Sequence, residues 1–341
     1  MAVASPLRFL PLVVLVFCWP GRGESGCADC HPKQTTHFSG TAMARALLAP
    51  NNTAVLIGNE PLTFQDGLYS YVISREAGAP TYRVTDGQTA ISAPILWSFG
   101  AGSAGQTYIY AREGKLFESR VSYYTAIKGL DLTIGAPGSI PASLEMAAGR
   151  KMQDQDVAEC FGCHSTSGGK GTGFDLAKMR PGVQCGACHS GLEKHQVPEA
   201  AAWVPASLGK LSTEEISNLC GQCHRTWEQI SINGPRGIAN VRFQPYRLTN
   251  SKCYDAEDLR IRCTACHDPH IPLETRAEAY DRRCTSCHSR GSSSTAASHL
   301  CKTATSACTG CHMPKYEIPG SHMIFSDHHI RIVRNKEDYP N

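Results

Sequence analysis

The sequence has little net charge, a single long apolar run and no nucleotide or hydrolase signature. Formal net charge is +3 over 341 residues, with no run of Lys or Arg, which disfavours a strongly basic nucleic-acid binder. Charged residues make up 18% and hydrophobic residues 41%, which fits neither a disordered tail nor a membrane bundle. No Walker, Rossmann, Ser-His-Asp or zincin pattern occurs, so those phosphate, dinucleotide and hydrolase chemistries have no residues to run on. Residues 51–150 contain neither Cys nor His, which keeps thiol and imidazole chemistry out of that stretch. The one apolar run, Phe9 to Trp19, is interrupted only by Pro11, follows Arg8 and precedes Gly21, Arg22 and Gly23. Spanning a membrane takes ~20 residues, so the run reads as the h-region of a secretory signal over residues 1–23. The expectation is an exported, periplasmic chain without a transmembrane anchor once that signal is cleaved.

Against those absences stand 17 Cys and 14 His. Fourteen of the cysteines fall into one pattern, C-x-x-C-H, repeated seven times. The copies are Cys27, Cys30, His31; Cys160, Cys163, His164; Cys185, Cys188, His189; and Cys220, Cys223, His224. Then come Cys263, Cys266, His267; Cys284, Cys287, His288; and Cys308, Cys311, His312. On a helical turn residues i and i+3 share a face, with i+4 beside them. Two thiols so placed can add to the two vinyl groups along one edge of a porphyrin, and the histidine of the same turn can reach its iron. Zinc sites use C-x-x-C pairs but need no His directly after each pair. A thioredoxin-like pair expects one motif within a βαβ pattern, and a disulfide framework would not hold the spacing at two. The spacing therefore predicts c-type haem attachment at all seven motifs, through the fourteen cysteines and with the seven motif histidines as proximal iron ligands. Losing the signal and adding ionised haem propionates would carry the net charge to about −6 oxidised and about −13 reduced.

Seven histidines remain: His37, His195, His270, His299, His322, His328 and His329. Their number would permit bis-His iron throughout, which suits electron transfer, whereas an open sixth position would suit substrate chemistry. His270 is too close to His267 to serve the same iron, so it is expected to cross to a neighbouring haem. His195, which follows His189, is read the same way. His322 and His328, beyond the last motif, are further expected ligands. For the first haem, His37 and Met43 compete, and a Met ligand would raise its potential. His329 reads equally as a surface residue or a ligand, and His299 is left open between the two. Cys253 and Cys301 stand outside the motifs, and in an oxidising compartment they are expected to pair with each other.

The motifs are unevenly spread. One lies at 27–31 and six crowd into 160–312, which divides the chain into a signal (1–23), a first haem segment (24–50), a β-rich haem-free domain (51–150) and a six-haem domain with a ligand-bearing tail (151–341). In the β-rich part, Leu68 to Ile73, Pro80 to Val84, Thr107 to Arg112 and Lys115 to Val121 read as strands, with hairpin signals at Asp86-Gly87 and Glu113-Gly114. The C-terminal part is rich in Gly, Ser, Thr and Pro, with helices expected only at about 212–230 and 272–283 beyond single turns at the motifs. The fold class is thus α+β: an antiparallel β-domain inserted after the first motif, and a largely irregular domain in which haem faces replace a side-chain core.

Three segments resemble the periplasmic multihaem cytochromes of the cytochrome c554 type. They are Gly26 to Pro32 followed by Ser39 to Ala44; Gly182 to His189, reaching His195; and Cys308 to Pro314 with His322 and Phe325 to His328. In that family a histidine often stands where Met43 does, and the later His of the paired-motif segment serves a second haem. The resemblance implies covalent haem c, redox partner proteins as donor and acceptor, and a soluble electron carrier. The same superfamily holds ammonia-forming nitrite reductases and hydroxylamine oxidoreductases, so an oxidoreductase acting on a small nitrogen or sulfur compound at one open haem is the alternative. The C-x-x-C-K motif and the eighth haem motif that mark those enzymes are missing here.

Overall fold

The structure is a computed structural model. It describes residues 25–59, 61–169, 173–189, 208–289, 301, 303–334 and 337–340. The expected signal, His195 and His299 lie outside the described residues.

A nine-stranded antiparallel sheet dominates the first half. In chain order its strands are β1 (Leu47–Leu48), β2 (Leu62–Asp66), β3 (Tyr69–Glu76), β4 (Ala79–Thr85), β5 (Ala90–Phe99), β6 (Gly105–Arg112), β7 (Lys115–Tyr124), β8 (Gly129–Leu132) and β9 (Gly149–Lys151). The path runs β2 to β8 in sequence order, with β1 on β5 and β9 on β7. β2 comes round against β8, so the sheet nearly closes on itself. Arg120 of β7 fastens the seam: its Nη2 donates to Asp66 Oδ2 (3.0 Å) on β2 and to the carbonyls of Pro137 (2.8 Å) and Ser139 (3.0 Å). Period-two burial builds the interior, with Tyr69, Tyr71 and Ile73 of β3, Tyr82 and Val84 of β4, and Ile91, Ala93 and Ile95 of β5 all buried. The Glu113-Gly114 hairpin forms as expected. Arg112 pairs with Lys115, and both turn residues take positive φ.

The outer face of this sheet carries a second apolar cluster of Leu47, Ile109, Met152, Phe161 and Met179, with Trp97, Phe99, Leu116 and Cys160 against it. Helix Asp154–His164 lies on that face and ends in the second motif. The sheet is therefore a seat for one motif as well as a core of its own.

Beyond residue 208 the elements are short. The expected helix over 212–230 is two helices, Thr213–His224 and Trp227–Asn233. Each starts in its own capping box, Ser212 with Glu215 and Thr226 with Gln229, and Arg225 between them has φ 62°. Over 272–283 only a 3-10 turn, Ala277–Tyr280, and the start of helix Asp281–Thr285 form. Two further helices, Pro32–Ser39 and Gln244–Thr249, have Pro in the first turn. A hairpin of Lys315–Glu317 with Ile324–Ser326 follows the last motif. Among the described residues no helix is long and apolar enough to cross a membrane.

Candidate haem-binding turns

All seven motifs sit on a single helical turn. Three close the helices Asp154–His164, Thr213–His224 and Cys308–His312. In the other four the histidine N–H donates to the carbonyl of the first cysteine: His31 to Cys27 (2.7 Å), and His189 to Cys185, His267 to Cys263 and His288 to Cys284 (2.9 Å each). Cys, Cys and His thus share one turn, as the chemistry of double thioether attachment requires. Burial pushes several motif thiols up, Cys160 to about 11 and Cys308 to about 12, the latter helped by Asp281. The expected Cys253–Cys301 disulfide is not formed. Cys253 lies in the field of Cys284 and Cys287 of the sixth motif, while the Cys301 sulfur accepts the backbone N–H groups of Thr303 and Ala304, which hold its thiol below the usual range.

The imidazoles show how the chain prepares for a metal. His164 Nδ1 donates to the Ala46 carbonyl (2.8 Å), His312 Nδ1 to the Arg331 carbonyl (2.9 Å) and His328 Nδ1 to the Ser326 carbonyl (3.0 Å). A carbonyl can only accept, so the proton is fixed on Nδ1 and the Nε2 lone pair is left for a ligand bond. His224 Nδ1 meets Gln244 Oε1 (3.2 Å) and His270 Nδ1 meets Asp268 Oδ1 (3.0 Å). The Tyr280 hydroxyl gives its proton to the Glu274 carbonyl (2.6 Å) and so faces His267 Nδ1 (3.5 Å) as an acceptor. Burial pushes His164, His224 and His267 below the usual imidazole range, and His328 down to about 4. Burial lowers His189 as well, helped by His270 and His31. Neutral imidazole is the ligating form.

Two pairs of rings face one another. His189 and His270 have centroids 6.1 Å apart at 20°, and His267 and His328 are 6.2 Å apart at 43°. Two imidazoles on one iron, each nitrogen about 2 Å from the metal and each ring centre about 1 Å further, stand about 6 Å apart. The residues therefore fit a haem iron at both places. Beside the fifth motif an open hollow is lined by Cys266, Glu274, Ala279, Tyr280, Arg282 and Arg283, an aromatic wall with two cations and one carboxylate. His270 thus faces the third motif's histidine, and His328 the fifth's.

The motifs also touch each other. Cys163 Sγ lies 3.7 Å from the Gln222 carbonyl inside the fourth motif. The Cys220 thiol hydrogen-bonds Cys263, joining the fourth and fifth, and Cys284 and Cys308 join the sixth and seventh. These thiols stand where thioether sulfurs would be. Asp281 opens the helix of the sixth motif and accepts the N–H groups of Ala307 (2.8 Å) and Cys308 (2.9 Å), so it caps the seventh.

Other expected ligands lie elsewhere. His322 points its Nε2 at Asp131 Oδ2 (2.7 Å) on β8, against the ring of Tyr124. The Met43 carbonyl accepts the Val183 N–H (3.0 Å), which places Met43 at the foot of the third motif. Gly182, at φ 75°, packs so tightly on the Ala44 carbonyl that no side chain fits there. His37 is exposed on helix Pro32–Ser39, within the field of Asp268. His329 turns its Nδ1 to Arg247 (3.5 Å). The partners of the motif histidines, Ala46, Gln244 and Arg331, and the capping Asp281 carry no mark in the sequence, because a backbone carbonyl, a lone amide or a lone Asp has no motif.

Residues 139–190 match the family described as cytochrome c554 and c-prime. The fold is similar to the crystal structure of the outer cell wall cytochrome OcwA, at 14% identity and a TM-score of 0.54, over 91% of this chain and 79% of that one. No curated protein matches the sequence. The family match over 139–190 and the overall fold agree with the resemblance carried by the motifs.

Proposed function

We propose that this chain is a soluble periplasmic cytochrome with seven covalent haems, carrying electrons along a packed haem chain between redox partner proteins. In this reading residues 1–23 are a cleaved signal and 24–50 hold the first haem. Residues 51–150 are an inserted β-domain, and 151–341 hold six haems in place of an apolar core. The observation that carries it is the combination of seven C-x-x-C-H turns with two facing histidine pairs at single-iron spacing. Bound haem supplies reversible one-electron Fe(III)/Fe(II) chemistry at each turn. The chain's residues do the rest. The motif cysteines fix each macrocycle, the carbonyls of Ala46 and Arg331 orient the proximal rings of His164 and His312, and His270 and His328 close sixth positions. Bis-His iron changes shape little on reduction, which favours transfer over substrate binding. His195, His322 and Met43 stand as the further ligand candidates of this reading.

Electron paramagnetic resonance of the purified, oxidised protein tests this. The carrier reading expects low-spin signals only. A high-spin signal that shifts on adding nitrite, hydroxylamine or cyanide would replace it with an oxidoreductase working at one open haem.

A further inference from the structure

The segment Ser326 to Arg331 serves two haem sites at once. His328 faces His267 of the fifth motif (6.2 Å between rings), and the Arg331 carbonyl accepts from His312 Nδ1 of the seventh (2.9 Å). Nothing in the segment's own conformation explains its fixity. Ile324–Ser326 is a three-residue strand, and 327–334 is neither helix nor strand.

What holds it is a buried ionic cluster. Arg247, on helix Gln244–Thr249, and Asp327 are both fully buried. They meet as a fork, Nε to Oδ1 at 2.8 Å and Nη2 to Oδ2 at 2.9 Å. Arg331 Nη1 adds a third bond to Asp327 Oδ2 (2.8 Å), and the His329 N–H donates to Asp327 Oδ1 (3.0 Å). Arg247 Nη1 also donates to the Pro340 carbonyl (2.8 Å), and its guanidinium lies over the Tyr339 ring at 4.7 Å. Ser251, just past the helix, donates to the His328 carbonyl (3.0 Å) and accepts from the Ile330 N–H (2.8 Å). Burying charges costs heavily unless they are paired and fully bonded, as they are here, and such pairs fix geometry rather than add net stability.

We infer that Arg247 and Asp327 are positioning residues that set the ligation of the fifth and seventh haems together, by holding His328 at one iron and the Arg331 carbonyl under the histidine of the other. The inference rests on the proposed haem-ligand role of His328. A carbonyl on Nδ1 raises the basicity of a ligating imidazole, so freeing the segment should also raise the seventh haem's potential.

The test compares three variants of the matured, haem-loaded protein by electron paramagnetic resonance and redox titration. His328→Ala tests the ligand role and should convert one low-spin haem to high-spin. Asp327→Asn keeps the shape but sets an amide N–H₂ against the Arg247 and Arg331 donors. It should produce the same single high-spin conversion and shift a second haem's potential upward, with seven haems still attached. If His328→Ala leaves the spectrum unchanged, the ligand reading fails. If His328→Ala converts one haem while Asp327→Asn alters neither spin nor potential, the positioning inference fails. Should Asp327→Asn not accumulate, Ser251→Ala removes one hydroxyl and should speed cyanide binding at one haem at least several-fold. An unchanged rate would overturn the inference.

Discussion

The sheet region and the motif region solve the same problem in opposite ways. Between β2 and β9 the interior is made of side chains, a continuous cluster from Val55 to Ala148 rich in Tyr, Ile and Val. From 208 onward buried apolar side chains are scattered: Ile216, Ile230, Val241, Tyr246, Leu248 and Ile318. The largest fully buried side chain is an arginine, Arg247. Turns of four to twelve residues carrying Cys and His cannot exclude water alone. The difference is what the proposed function expects, with haem as the core of the second region and side chains as the core of the first.

Depriving the protein of haem attachment should break this comparison most visibly. Limited proteolysis of such material should remove residues 208–334 rapidly while the sheet region persists, read by mass spectrometry of the fragments. Equal protection of both parts would mean the C-terminal region has a core of its own.

A core substitution in the sheet should do the reverse. Tyr82 is fully buried and packs on Tyr110 at 5.3 Å, so Tyr82→Ala should cost about 3–5 kcal/mol of stability in that region and leave the haem absorption unchanged. Among the described residues its hydroxyl has no partner at good hydrogen-bond geometry. Tyr82→Phe should therefore be neutral, or stabilise by about 1 kcal/mol, when followed by chemical denaturation.

Alkali sharpens the same contrast with a smaller effect. Burial pushes the Tyr71 and Tyr124 phenols up to about 12. Both raised values mean that the stability they contribute is whole below the ordinary phenol value near 10 and is lost as pH rises toward 12. Thermal melts should show the sheet region weakening across that window, with no parallel change between pH 7 and 9.

How much of this was legible follows from range. The Glu113-Gly114 hairpin and the strand read over 68–73 are local, and they appear as expected. The seven turns were legible because their chemistry lies within five residues. The break at Arg225 is marked in the sequence by Thr226 and Gln229 three apart, a second capping box. Helix Asp154–His164 extends beyond the expected motif turn, and its short apolar face, Ala158 and Phe161, gives little periodic signal. That His270 must leave its own motif follows from its closeness to His267. That it faces His189 does not, since a long-range pairing has no local signal. The same holds for Arg247 with Asp327, and for the free state of Cys253 and Cys301.

The most direct measurement of the central claim is the intact mass of the mature protein, unfolded without reductant in the presence of a thiol-blocking reagent. The account predicts seven haems and two blocked thiols, Cys253 and Cys301, with all fourteen motif cysteines consumed. Fewer haems, accompanied by blocked motif cysteines in pairs, would contradict it.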